Sequence, residues 1–383
     1  MFANIVHVND ILNMKFYQHR HRRKTVASGM LRRSLALVSL AAVLLFPTTA
    51  MGTDASGRLI TSVAIAVNPR THKVYVVDEA AGAVIMTDEI SGSVIRIPVG
   101  KGPIALAVLS AVNKVYVVNA DSNSISILDG THDTLIRTIP GGSHPYTIAA
   151  NQMTQKVYVT YTYDHIMTVI DGTTDVASTL NTGSADTIAI DEATNTMFLS
   201  TYEDPYLRIV DGATGAMHKV NVGAHIWGFA FDARHGILYL AHTGTTSVLS
   251  FDENTQKTNV IPVGKLPCAL ALNEQTHKLY AVNYEDQTLS VIDTAKAQIV
   301  AVLPLGDHPQ AVAVDVRRNR IYVANVHGNS VTVIDGSRDA ILATYPARQN
   351  PYGLAVDSET GYLYAAVYGS AGSVRVDPSL PTK

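Results

Sequence analysis

Three histidines, His144, His225 and His308, stand 14 residues ahead of the aromatics Tyr158, Tyr239 and Tyr322. Two positions after them come Tyr146, Trp227 and Gln310, and three residues past the aromatics come Tyr161, His242 and Asn325. Neighbouring positions add Tyr202, Glu203, Tyr284, Glu285 and His327. Imidazole, phenol, indole and carboxylate can bind metals, exchange protons near neutral pH or stack on flat ligands. A shared metal meets a geometric obstacle. Zn–N bonds are about 2.0 Å, while packed sheets lie roughly 10 Å apart, so histidines of alternate modules are too far apart for one ion. His225 and His242 belong to one module and can meet. His-Pro, at His144-Pro145 and His308-Pro309, is also a loop signature in which the ring bonds nearby carbonyls. The residues therefore assign no catalytic group, no metal and no cofactor. They nominate His144, Tyr146, Tyr202, His225, Trp227, His242, Tyr284 and His308 as a ligand-binding rim.

A repeat positions them. Tyr75, Tyr116, Tyr158, Phe198, Tyr239, Tyr280, Tyr322 and Tyr364 follow one another at gaps of 41, 42, 40, 41, 41, 42 and 42 residues. Nine residues before each stands alanine, from Ala66 to Ala355, and thirteen after each stands aspartate, from Asp88 to Asp377. A period near 41 made of short strands is the signature of a β-propeller. The expected fold is all-β: an eight-bladed propeller of four-stranded antiparallel blades, with seven blades as the alternative.

The second copy shows the logic. Residues 104–108 are apolar and short, 114–118 and 124–128 alternate, and 134–139 complete four strands separated by turn clusters. Alanine suits the inner strand, where blades converge and a larger side chain overpacks. The aromatic belongs on the second strand, wedged between blades. The aspartate, mostly followed by glycine, closes the turn between third and fourth strands by accepting backbone N–H bonds. These aspartates are turn chemistry rather than catalytic acids.

The segments Val115–Asn119 (VYVVN), Leu279–Asn283 (LYAVN) and Ile321–Asn325 (IYVAN) resemble the core of the YVTN repeat. Ser330–Gly336 (SVTVIDG) and Ile97–Gly100 (IPVG) match its other parts. The resemblance runs over residues 60–377 and implies a bacterial exported propeller. Blades four and eight depart from it, with Met197–Ser200 (MFLS) and Leu363–Ala366 (LYAA).

The N-terminus supports export. Arg32 and Arg33 precede an apolar run from Leu35 to Phe46, followed by Pro47 and small residues to Gly52. That is the layout of a signal peptide, too short for a membrane span of roughly 20 residues. Residues 1–52 read as leader and signal, with Met30 the better start, and 53–383 as the propeller. The protein is expected in the periplasm or outside the cell, as a monomer. Residues 1–52 hold seven Lys/Arg and one Asp, leaving 22 basic against 31 acidic residues. That balance disfavours nucleic acid as a partner, including the single-stranded DNA suggested for some relatives. The one cysteine, Cys268, excludes an internal disulfide.

Lactonases of the six-bladed and seven-bladed propeller types resemble this chain in architecture; a metal-dependent one needs converging Glu, Asn and Asp, and Asp78, Asn119, Asn283 and Asn325 share the right column. Asparagine ending a second strand also caps the next turn. There is no haem-attachment motif, vicinal cysteine pair, Gly-x-Ser-x-Gly elbow, phosphate loop or His-Glu-x-x-His. The reading is a non-catalytic scaffold that binds a protein or small molecule at its funnel rim, with a lactonase-like hydrolase or cofactor-dependent oxidoreductase as the alternative. After Asp377 no fourth strand remains for the last copy, so residues 53–61 are expected to fill that edge and close the ring. Deleting 53–61 is expected to lower the thermal midpoint by several degrees; an unchanged midpoint contradicts that closure.

Overall fold

A computed structural model describes residues 64–347, 350–367 and 373–376. They form eight antiparallel sheets; seven have four strands in sequential order and the eighth has three. Blade 1 spans 65–98, blade 2 103–140, blade 3 145–180 and blade 4 187–221. Blade 5 spans 226–262, blade 6 267–304, blade 7 309–346 and blade 8 351–376. The eight-module reading thus agrees with eight sheets. Among the described residues no helix is long and apolar enough to cross a membrane. The second blade runs Pro103–Leu109, Lys114–Asn119, Ser124–Asp129 and Thr134–Pro140, close to the strands read from its hydrophobic pattern. Residues 53–61 and Asp377 lie outside the described residues.

Within a blade the first two strands are buried and the fourth is mostly exposed, as in Pro267–Asn273 against Gln298–Pro304. The alanine and the aromatic are direct cross-strand partners in all eight blades: Ala66 opposite Tyr75, Ala107 opposite Tyr116, and so on to Ala355 opposite Tyr364. Partners in an antiparallel pair share one face, so a methyl beside each ring leaves the ring room to cross to the next blade. Tyr116 reaches Asp175 of blade 3 at 3.3 Å, and Tyr158 donates to Asn195 Oδ1 of blade 4 at 2.8 Å.

The ring closes by the same kind of packing. The inner strand of blade 1, Ile65–Asn68, packs on that of blade 8, Pro351–Val356. One apolar cluster contains Tyr75 and Val76 of blade 1 together with Tyr352 and Tyr364 of blade 8.

Each described turn aspartate accepts backbone N–H bonds from the residues two or three places on. Asp129 Oδ1 takes Thr131 at 2.7 Å, and Asp211 Oδ1 takes Ala213 and Thr214 at 2.8 Å each. All seven carboxyls are held below the ordinary range. At Asp88, Asp171, Asp211, Asp252 and Asp335 the main cause is a backbone N–H; at Asp129 it is the His132 ring and at Asp293 the Lys296 ammonium. A second device links blades. Lys73, Lys114 and Lys278 each reach the third-to-fourth-strand turn of the following blade. Lys278 Nζ donates to Gly336 O at 2.8 Å and to Asp339 Oδ1 at 2.7 Å, with both side chains about four-fifths buried.

Lys278→Ala is expected to cost roughly 1–3 kcal/mol in urea unfolding, because it removes charge-assisted bonds and strands Asp339. Lys257→Ala on an exposed outer strand is expected to stay within about 0.5 kcal/mol; equal losses contradict the inter-blade role. The turn aspartates have lowered folded-state pKa values. Their stabilisation is full above the unfolded value near 3.9 and is lost as pH falls through the folded values. The thermal midpoint should therefore fall below about pH 4, and a midpoint that stays level down to about pH 2 contradicts this.

Candidate functional site

The connections between blades, and those from second to third strand, lie on one face. Their geometry explains the histidine column. The residue just before or at the entry to the inner strand is left-handed in six blades: Gly102 (φ 62°), His144 (55°), His225 (68°), Leu266 (54°), His308 (52°) and Asn350 (42°). Histidine adopts this region more readily than most side chains. The carbonyls of His144, His225 and His308 accept the N–H of Thr162, Thr243 and Val326, pinning the second-to-third-strand loop of the same blade. Three of the eight nominated residues therefore carry a backbone role.

A β-bulge follows in blades 2, 3, 5, 6, 7 and 8. Such a bulge re-aims a side chain, and in blade 5 it sits at Trp227, between Ile226 and Gly228. The bulge column, expected on the rim, lies beneath it. Trp227 is 2% exposed and Tyr146 9%, and Cys268 and Gln310 are buried as well. The correction has a physical cause: the extra residue turns the side chain between neighbouring inner strands instead of outward. Cys268 Sγ lies 3.7 Å from Pro309 O of the next blade, and burial pushes its thiol up, which makes it an inert core group. The asparagine column is structural too. Asn119 Nδ2 donates to Ser124 and Ser126, Asn283 to Thr288 and Ser290, and Asn325 to Ser330 and Thr332. These bonds join second and third strands and do not converge on an axis ligand.

The nominated residues fall into three groups. In blades 4 and 5, the Tyr202 ring lies 4.7 Å from His225 and 5.5 Å, edge-on, from Trp227. His242 is nearby, its pKa lowered by burial and by the His225 charge, and its Nδ1 is 3.2 Å from the Thr245 hydroxyl. An open depression of about 430 Å³ adjoins it, lined by Val222, His242, Thr245, Leu249 and Pro262. In blades 6 and 7, Tyr284 meets His308 edge-on at 4.9 Å, and His308 lies 4.1 Å from His327, centroid to centroid. Asp307 Oδ1 is 2.5 Å from His308 Nδ1, and His327 Nε2 is buried with no partner. In blade 3, His144 lies 5.3 Å from Tyr163, apart from the other two groups.

Two further residues join the blade 4–5 group. Asp186 and Arg208 are 8% and 4% exposed. Arg208 donates from Nη1 to Thr182 O at 3.0 Å and from Nη2 to Ser184 O at 2.5 Å. Asp186 Oδ2 accepts the Tyr202 N–H at 3.1 Å. Burial pushes the Asp186 carboxyl up to about 6, against the pull of that N–H and of the Arg208 charge. An acid of that strength changes protonation close to neutral pH. The sequence signal for Arg208 is a charge amid the alternation of Tyr206–Asp211 (YLRIVD), where other third strands carry small or apolar residues. The signal for Asp186 is its place in the bulge column.

Two solved structures of similar shape are described as a synthase and a dehydrogenase. Hydrazine synthase of Kuenenia stuttgartiensis aligns with a TM-score of 0.58 at 17% identity, covering 86% of this chain and 100% of that one. The dihydro-heme d1 dehydrogenase NirN, in complex with DHE, aligns with a TM-score of 0.69 at 12% identity, covering 82% of this chain and 72% of that one. At such identities the likeness concerns the fold. No curated protein matches the sequence significantly. Residues 32–361 match a family described as YNCE-like beta-propeller. With its eight sheets in one ring and the match running over most of its length, the chain belongs to the YNCE-like beta-propeller family.

Proposed function

We propose that this protein is an exported, non-catalytic propeller of the YVTN-repeat type that binds a protein or small molecule on the face carrying the histidine turns. One observation carries the reading: imidazole–aromatic stacks recur on that single face, Tyr202–His225 at one junction and Tyr284–His308 at another. Tyr202, expected on the rim, is 8% exposed and backs the His225 ring from beneath, while the half-buried His225, Tyr284 and His308 supply flat, amphipathic contact area at little entropic cost. The left-handed turns at His225 and His308 hold those rings in place before any ligand arrives. The leader-like residues 1–52 support export. The acidic balance of the remainder supports a partner other than nucleic acid.

A second reading, a propeller enzyme, is favoured by Asp186. A buried acid raised to about 6 beside Arg208 and Tyr202 is the kind of group that general acid–base catalysis uses. The two structural neighbours described as a synthase and a dehydrogenase keep that reading in view.

In fractionated cells the mature protein is expected outside the cytoplasm with its N-terminus just after Ala50 or Gly52; full-length chain confined to the cytoplasm contradicts export. Immobilised wild type is expected to retain a ligand from the same compartment that Tyr202→Ala/His308→Ala does not. Retention unchanged in that variant contradicts the rim reading. Turnover of a lactone or redox substrate that Asp186→Asn abolishes would establish the enzyme instead.

A further inference from the structure

Blade 1 breaks the repeat on the opposite face. In blade after blade the N–H of the residue following the turn aspartate bonds the carbonyl of the residue three before the aromatic. Gly130 bonds Asn113 at 2.8 Å, Gly212 bonds Asn195 at 2.9 Å, Gly336 bonds Asn319 at 2.9 Å, and Glu89 bonds His72 at 3.0 Å. This sets two side-chain positions against each other. In blades 2, 4 and 7 the position is glycine, and a Cβ at Gly130, Gly212 or Gly336 would stand 2.5, 2.5 or 2.3 Å from the amide of Asn113, Asn195 or Asn319. Blade 5 sets Glu253 against Gly236 and blade 6 Thr294 against His277; among the described blades, blade 1 alone sets a glutamate against a histidine.

The contact between neighbouring blades changes at the same place. Asn68 donates to Asn113 at 2.7 Å, Asn151 to Asn195 at 2.9 Å and Asn273 to Asn319 at 2.9 Å, each from one blade to the next. Where blade 8 meets blade 1, Asp357 and His72 occupy these two positions, with His72 Nδ1 2.7 Å from Asp357 Oδ2. The Asp357 side chain is fully buried, and its Oδ1 accepts the Glu359 N–H at 2.8 Å. Glu89 Oε2 accepts the Thr360 hydroxyl at 3.1 Å, the Tyr364 phenol lies beside the same carboxylate, and Oε1 makes no hydrogen bond of good geometry. One donor atom from each of His72, Glu89 and Asp357 lies within 4.8 Å of the other two.

We infer that His72, Glu89 and Asp357 form a binding site for a divalent cation of the zinc class, which ties the last blade to the first. Two carboxylates brought together out of water repel, and a dication removes that cost. One imidazole with two carboxylates suits zinc, whereas calcium asks for six to eight oxygens. The ligands are 285 positions apart, counting from His72 to Asp357. They come together only in the closed ring, so the ion binds the folded state alone and stabilises it. Among the described residues the other cluster of this kind, Asp307, His308 and His327, lies on the rim face, and its carboxylate is half exposed.

The test uses the mature full-length chain stripped with chelator and titrated with zinc chloride, read by calorimetry and thermal unfolding. The expected result is one equivalent bound and a midpoint raised by a few degrees. Glu89→Gln and His72→Gln each weaken binding about tenfold or more, and His327→Gln leaves it unchanged. No binding by the wild type overturns the inference. Binding that survives in both seam variants and disappears in His327→Gln also overturns it, as does a larger stabilisation by calcium than by zinc.

Discussion

The packing of a ring against a methyl group underlies this molecule. In every blade the aromatic of the second strand lies directly across from the alanine of the inner strand, and the ring extends to the following blade. Inner strands crowd around an axis, so volume there is limiting, and close-packed interiors tolerate little excess. With that contact set, the spacing between blades is set as well. The lysine bridges and turn aspartates then fasten the periphery without determining the architecture.

The consequence for function is that the face is built from exceptions to a repeat. A left-handed turn and a bulge recur blade after blade, and they place whatever side chain stands there either on the surface or between blades. Histidine at the turn remains half-exposed, while tryptophan or cysteine at the bulge is buried. Blade 4 carries a costly exception. Asp186 and Arg208 are both buried, and burying charge is unfavourable unless each group is bonded. Arg208 meets part of that demand with two carbonyls, its Nε being left without a partner, and Asp186 partly meets it with one N–H. Selection for packing alone would favour an apolar residue at either place.

Much of the fold was legible because its signals are local and repeated. The strands of 103–140 follow from alternation and turn residues, and the role of Asp129 follows from the turn it must close. The exposure of Trp227 and Tyr146 was not legible. A bulge changes side-chain direction by one residue, and nothing in a short apolar strand marks where the extra residue sits. The His308–His327 stack joins residues from two loops of one blade, a proximity that repeat columns, which compare equivalent positions, do not display. The Asp357–His72 contact was hidden for a related reason, since it appears only when the ends of the ring are superimposed on the register between consecutive blades.

The most direct measurement of the central contact is the unfolding free energy of Ala271→Leu, which enlarges the fully packed side chain opposite Tyr280. The account predicts a loss of about 1–3 kcal/mol, against a change within about 0.5 kcal/mol for Ala295→Leu in an exposed turn. Equal stability of Ala271→Leu and the wild type would show that the alanine column does not limit blade packing, and would contradict the account.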